Sequence, residues 1–168
     1  SSLISQDIPL ANNALSFFDS SPDPFHAVQS SIEKLEEAGF QPLSNDEDIQ
    51  LGGKYYFTKN KSSLIAFSVP KHFDPKNIGS TGGGFKVIGA HTDSPNLKIK
   101  PYSKKKLTQG YVQLAVECYG GGLWHTWFDR DLGLSGRVLV RNEDNGTIEQ
   151  KLMKVDRPLL QIPNLAIH

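Results

Sequence analysis

This chain is poor in sulfur, with one cysteine (Cys118) and one methionine among 168 residues. A single thiol cannot close an internal disulfide, and no Cys-x-x-Cys pair is present to hold a structural zinc. Surplus charge is missing too: 18 Lys and Arg balance 18 Asp and Glu. That balance argues against a general nucleic-acid binder, which needs a basic surface to neutralise phosphates. No apolar run approaches the roughly 20 residues of a membrane-spanning helix. Ser1 to Leu10 lacks the basic start and apolar stretch of a secretory leader. Hydrophobic residues make up 38 % of the chain, lean for a compact domain. Such a chain either leaves apolar surface for a partner or is part of something larger, and composition does not choose. The absences together set three expectations: no nucleic acid, no membrane, and a reducing compartment.

What is present centres on Val87–Pro95, Val-Ile-Gly-Ala-His-Thr-Asp-Ser-Pro. Phe85 to Ala90 is apolar except for Lys86 and then ends in His91 and Asp93. A short apolar run of this kind suits a strand buried on both faces of a parallel sheet, and such sheets carry their chemistry at the carboxyl ends of strands. In extended backbone, residues i and i+2 point the same way. A neutral imidazole is a common metal ligand, and its other nitrogen usually donates to a carboxylate that fixes its aim. His91 then reads as a zinc ligand and Asp93 as its orienting carboxylate. By spacing alone, a turn with a satisfied hydrogen bond is the commoner meaning of His-x-Asp.

The flanking sequence predicts elements of both kinds. Leu10, Ala14, Phe17 and Phe18 share a helical face, predicting a helix over Ile8 to Asp19. Asp23 reads as an N-cap with Pro24 at the first helical position, Val28, Ile32 and Leu35 keep the rhythm, and Gly39 ends the second helix. His26, in its first turn, is expected to be a surface or packing histidine and not a ligand. Lys54–Thr58 and Leu64–Val69 predict a hairpin around residues 59–62. The glycine run 82–84 precedes a strand and no Lys-Ser/Thr follows, so it is no phosphate loop. Beyond residue 96 the pattern is alternating: Leu97 and Ile99 against Lys98 and Lys100, then Val112, Leu114, Val116 and Cys118 on one face of Tyr111–Tyr119. The lysines here, with Lys104 to Lys106, read first as a solvated edge. Leu134–Val140 and Thr147–Val155 predict a hairpin joined by Asn142–Gly146 and ending in the Asn-Gly turn signal. Trp124, Trp127 and Phe128 are candidate interface anchors or ordinary core. Asp129 and Asp131 could meet a metal, but pairing with arginine or a backbone amide is the commoner fate.

Four blocks in order, Gly89-Ala90-His91-Thr92-Asp93-Ser94-Pro95, Tyr119-Gly120-Gly121-Gly122-Leu123-Trp124, Thr126-Trp127-Phe128-Asp129-Arg130-Asp131-Leu132 and Leu165-Ala166-Ile167-His168, resemble the aspartyl aminopeptidase family. These are metallopeptidases that remove N-terminal Asp or Glu with two zinc ions. The resemblance implies an α/β fold: a mixed sheet with flanking helices, part of a zinc-peptidase catalytic domain over residues 1–95, and an inserted β-rich dimerisation domain over 96–168, incomplete at its end. It implies that His91 binds zinc, that Asp93 orients it in catalysis, and that His168 contacts substrate in a neighbouring subunit. It also implies an interface role for Trp124, Trp127 and Phe128, self-association into assemblies of twelve subunits built from dimers, and peptides with acidic N-termini as substrates. Cytosol is the expected compartment, with an organelle as the alternative.

The same resemblance implies that the remaining zinc ligands and the general base lie outside these 168 residues. A catalytic zinc takes about three protein ligands, so this stretch alone is expected to be inactive. The rival readings are a zinc aminopeptidase preferring neutral residues and a non-catalytic assembly module.

Overall fold

The computed structural model describes residues 2–44, 48–72, 76 and 84–165. Its element order is α1 (Ser2–Ser20), α2 (Pro24–Glu37), β1 (Gln41–Pro42), β2 (Lys54–Lys59), β3 (Ser63–Ser68), β4 (Asn96–Lys104), β5 (Leu114–Tyr119), a short 3-10 turn (Trp124–Trp127), β6 (Leu132–Arg141) and β7 (Ile148–Leu160). This is the expected mixed α/β chain. It divides into two compact units, Ser1–Thr92 with Ser135–Met153, and Asp93–Leu134 with Lys154–His168.

In the first unit, α2 begins where the sequence predicts. Asp23 is extended (φ −146°, ψ 168°), and its Oδ1 accepts from the amides of Phe25 and His26 at 3.0 and 3.1 Å. Those amides have no partner inside the helix, so the cap satisfies them. His26 Nδ1 donates to the other oxygen of Asp23 at 2.7 Å, which makes His26 the packing histidine expected. Burial works to raise the Asp23 pKa. Hydrogen bonds from Ser135 and from the His26 amide and ring, with the His26 charge, outweigh it and hold the carboxyl below its ordinary value.

Beside α2 lies a three-stranded sheet in the order β1-β2-β3. β2 and β3 form the expected antiparallel hairpin, with Tyr55 opposite Phe67 and Lys59 opposite Ser63. Asn60 and Lys61 turn it at φ 55° and 53°, the left-handed backbone that matches hairpin twist. β1 adds a parallel pairing, Gln41 with Tyr55 and Pro42 with Tyr56. Because side chains alternate along a strand, β2 sends Tyr55 and Tyr56 to opposite faces, and both are buried. Tyr56 donates to Glu36 of α2 at 2.6 Å. The Tyr55 hydroxyl accepts from the Gln50 amide at 2.9 Å, and its ring lies 5.6 Å from that of Phe67. A Cβ on Gly53 would stand 2.5 Å from the Tyr55 ring, so the ring needs glycine there. Ala27, Val28, Tyr55 and Tyr56 form the buried apolar core. Arg137 joins three pieces of this unit: it lies 4.4 Å over the Phe25 ring and donates to the backbone and side-chain oxygens of Asn60.

The first helix forms as expected and begins earlier, at Ser2, with Leu10 and Phe18 exposed. One expectation for this unit is corrected. The run before His91 is not a buried strand: residues 84–91 carry no regular secondary structure, and Phe85, Val87 and Ile88 are 99 %, 85 % and 98 % exposed. A strand needs neighbours for its amides and cover for its faces, and no described strand pairs with this run.

In the second unit, β4 and β5 pair antiparallel, with Asn96 opposite Tyr119, Leu97 opposite Cys118, Lys98 opposite Glu117 and Ile99 opposite Val116. The predicted alternation holds: Leu97, Ile99, Val116 and Cys118 share one face, and Asn96, Lys98, Glu117 and Tyr119 the other. A shift between Ile99 and Lys104 breaks the ladder. Phe128 bridges Ile162. β6 and β7 form a two-stranded sheet that contributes residues to both units. Its turn closes as expected, with Gly146 at φ 71° and Asn142 exchanging backbone hydrogen bonds with Gly146 and Thr147. β7 continues to Leu160, past the expected end at Val155.

Candidate functional site

The site is built around residues 91–93. His91 is exposed and lies in irregular backbone. Next to it, the Thr92 hydroxyl donates to the Ser62 carbonyl in the β2–β3 turn at 2.8 Å, a contact within the first unit. Asp93 opens the second unit and is half-buried.

The neighbours of Asp93 follow from the β4–β5 register. The chain runs from Asp93 through Ser94 and Pro95 into Asn96, whose strand partner is Tyr119. Gly120 follows at φ 74°, where a Cβ would touch Pro95 at 3.4 Å, so the two strand ends lie against each other. Here the Tyr119 hydroxyl donates to Asp93 Oδ2 at 2.6 Å. That hydrogen bond, then the Asp93 charge, then burial raise the Tyr119 pKa, so the phenol keeps its proton and remains a donor. Lys98 sits diagonally across the ladder, its Nζ 3.6 Å from the centre of the Tyr119 ring. Sequence reasoning named Asp93 but missed Tyr119 and Lys98. The alternation puts Lys98 and Tyr119 on polar faces, but only the register makes those faces one.

The remaining sequence candidates lie elsewhere. The Trp124 and Trp127 rings of the 3-10 turn meet tilted at 51°, with centroids 5.8 Å apart, and both are half-buried, while Phe128 is 40 % exposed. Trp124 packs so closely on Gly122 that a Cβ there would stand 3.0 Å from its ring. Asp129 accepts from the Asn164 amide at 2.9 Å while its own amide donates to the Ile162 carbonyl, the backbone-pairing fate expected for it. His168 lies outside the described residues. A shallow groove in the first unit is lined by Phe25, Val28, Ile32, Tyr56 and Arg137 and includes none of these candidates.

Among the described residues, no group of three or more His, Cys, Asp or Glu side chains could hold a metal ion. A catalytic zinc takes about three protein ligands. Residues 91 and 93 supply one exposed imidazole and one half-buried carboxylate, fewer groups than such a site takes. No described helix is long and apolar enough to cross a membrane.

Comparison with known proteins places the chain in a family. Residues 17–168 match the family model described as aminopeptidase I zinc metalloprotease (M18). The chain is 54 % identical over 158 residues to the aspartyl aminopeptidase of Aspergillus oryzae, covering 92 % of this chain and 30 % of that protein. It superposes on a chain of the cryo-EM structure of the Ape4 and Nbr1 complex with a TM-score of 0.84 and 51 % identity, over 94 % of this chain and 29 % of that one. It also superposes on the S. cerevisiae mApe1 dodecamer with a TM-score of 0.81 and 33 % identity, over 93 % of this chain and 36 % of that one. The chain belongs to the M18 family of zinc metalloproteases. It spans about a third of the length of the curated relatives it matches.

Proposed function

We propose that the protein containing this chain is a metalloaminopeptidase that removes N-terminal Asp or Glu from peptides. The observation that carries this is the 54 % identity to an aspartyl aminopeptidase across nearly the whole chain, a span that takes in residues 91–93. The catalytic α/β domain begins in residues 1–95, and residues 96–168 belong to the inserted β-rich dimerisation domain. Two zinc ions serve each complete subunit. Bound zinc lowers the pKa of a water and polarises the scissile carbonyl.

This chain supplies particular parts. His91 holds one zinc through a ring nitrogen, and Asp93 receives the proton on the other, fixing the ring's tautomer and aim. His168 contacts substrate. Trp124, Trp127 and Phe128 serve self-association, a reading supported by the likeness of this chain to the dodecameric mApe1. The cytosol is the working compartment.

The test uses the full-length protein and a panel of aminoacyl anilides, with zinc counted per subunit. Aspartyl and glutamyl substrates turn over fastest, and His91→Ala loses both zinc and turnover. Preference for a neutral residue would replace the substrate assignment, and full zinc content in His91→Ala would end the ligand assignment. Residues 1–168 expressed alone lose zinc on dialysis and leave an aspartyl anilide intact.

A further inference from the structure

Asp93 has a second task if it aims His91: its own carboxylate must be held still. A carboxylate that turns freely about its Cβ–Cγ bond cannot fix the plane of an imidazole, and groups behind a metal ligand matter through such restraint. We propose that Tyr119 is the positioning residue for Asp93 and that Lys98 supports it, which rests on the zinc-ligand reading of His91 given above. Three observations carry this.

The first is the hydrogen bond. At 2.6 Å, from a phenol to a carboxylate oxygen, it is in the short range typical of charge-assisted O–H donors. It engages Oδ2 of a group whose two oxygens offer about four accepting positions, so an imidazole N–H can be received on the same carboxylate. The second is the ammonium. Lys98 Nζ lies 3.6 Å from the centre of the Tyr119 ring, where it is attracted to the π face. A cation there draws density from the ring and makes the hydroxyl a better donor. It also restrains the ring that carries that hydroxyl. The third is the backbone frame. The Asn96–Tyr119 pairing and the contact of Gly120 with Pro95 bring the start of β4 and the end of β5 together, so the tyrosine reaches Asp93 from paired backbone.

A role confined to stapling two strand ends predicts something different from a role in positioning, and the two separate experimentally. In the full-length protein, Tyr119→Phe keeps the ring and removes only the hydroxyl. Zinc affinity, measured by competition of the metal alone against a chelator, is expected to fall about 10-fold, the low end of what partners behind a metal ligand contribute. The loss of kcat at limiting zinc should be recovered at saturating zinc. Lys98→Met is expected to lower zinc affinity about threefold, and Lys98→Arg, which keeps a cation over the ring, to restore it. The unfolding midpoint of the metal-free protein should stay unchanged in all three.

Wild-type zinc affinity in Tyr119→Phe overturns the inference when His91→Ala in the same assay has lost its zinc. So does a lowered metal-free midpoint with unchanged zinc affinity, which marks a structural staple. If His91→Ala retains zinc, the ligand reading has failed and the positioning role falls with it.

Discussion

The two units use their apolar residues differently. In the first, α2 and the β1–β3 sheet bury Ala27, Val28, Tyr55 and Tyr56. In the second, none of the described residues is buried, although its strands alternate just as regularly. The aligned face of β4 and β5 leaves Ile99, Leu114 and Val116 between 36 % and 39 % exposed. A two-stranded ribbon has one ladder and nothing to lay its apolar face upon, whereas a helix over a sheet closes a layer. Alternation creates a face, and a second layer is what buries it.

The difference can be broken by substitution. Tyr55→Ala is expected to have the largest effect, a loss of about 3–5 kcal/mol in the first unit, read by native-state hydrogen exchange of β2 and β3 amides. Gly53→Ala should approach it, because the new Cβ displaces the same ring. If Tyr55→Ala costs no more than an exposed substitution, the core assignment is wrong.

Asp23→Asn comes next, at up to about 1 kcal/mol, because asparagine can still cap and what is lost is the charge at the helix N-terminus. Its pH dependence carries the sharper signal. The folded pKa of Asp23 is depressed, so its stabilisation is present above the unfolded value and is lost as pH falls through the folded one. The wild-type protein should lose stability on acidification more steeply than Asp23→Asn, and equal acid slopes would remove the electrostatic part of the cap.

Val116→Ala should have the smallest effect, within about 1 kcal/mol. A cost near that of Tyr55→Ala would mean that the full-length protein covers the β4–β5 face, and would erase the contrast.

Much of this architecture was legible because its causes are local. Asp23-Pro24 specifies a cap and a first turn whatever lies nearby, and the Asn142–Gly146 stretch specifies a loop that ends on left-handed backbone at Gly146. β1 was not legible, since two residues paired in parallel leave no periodic trace. Nor was the extension of β7 past Pro158, which local propensity argues against. The run from Phe85 to Ala90 misled for a different reason: its pattern describes a strand surrounded by others, and none of the described strands lies beside it.

The candidate site divides in the same way. His91 and Asp93 are two residues apart in the chain, so their relation is written in the sequence. Tyr119 stands 26 residues from Asp93, and nothing in either segment names the other. The amino-acid order alone determined the helix cap, the hairpin turns, the strand faces and the His-x-Asp pair, because each depends on contacts a few residues long. Only the tertiary structure decided which faces are buried and which hydroxyl meets Asp93, because a strand register is chosen by the pairing of distant segments.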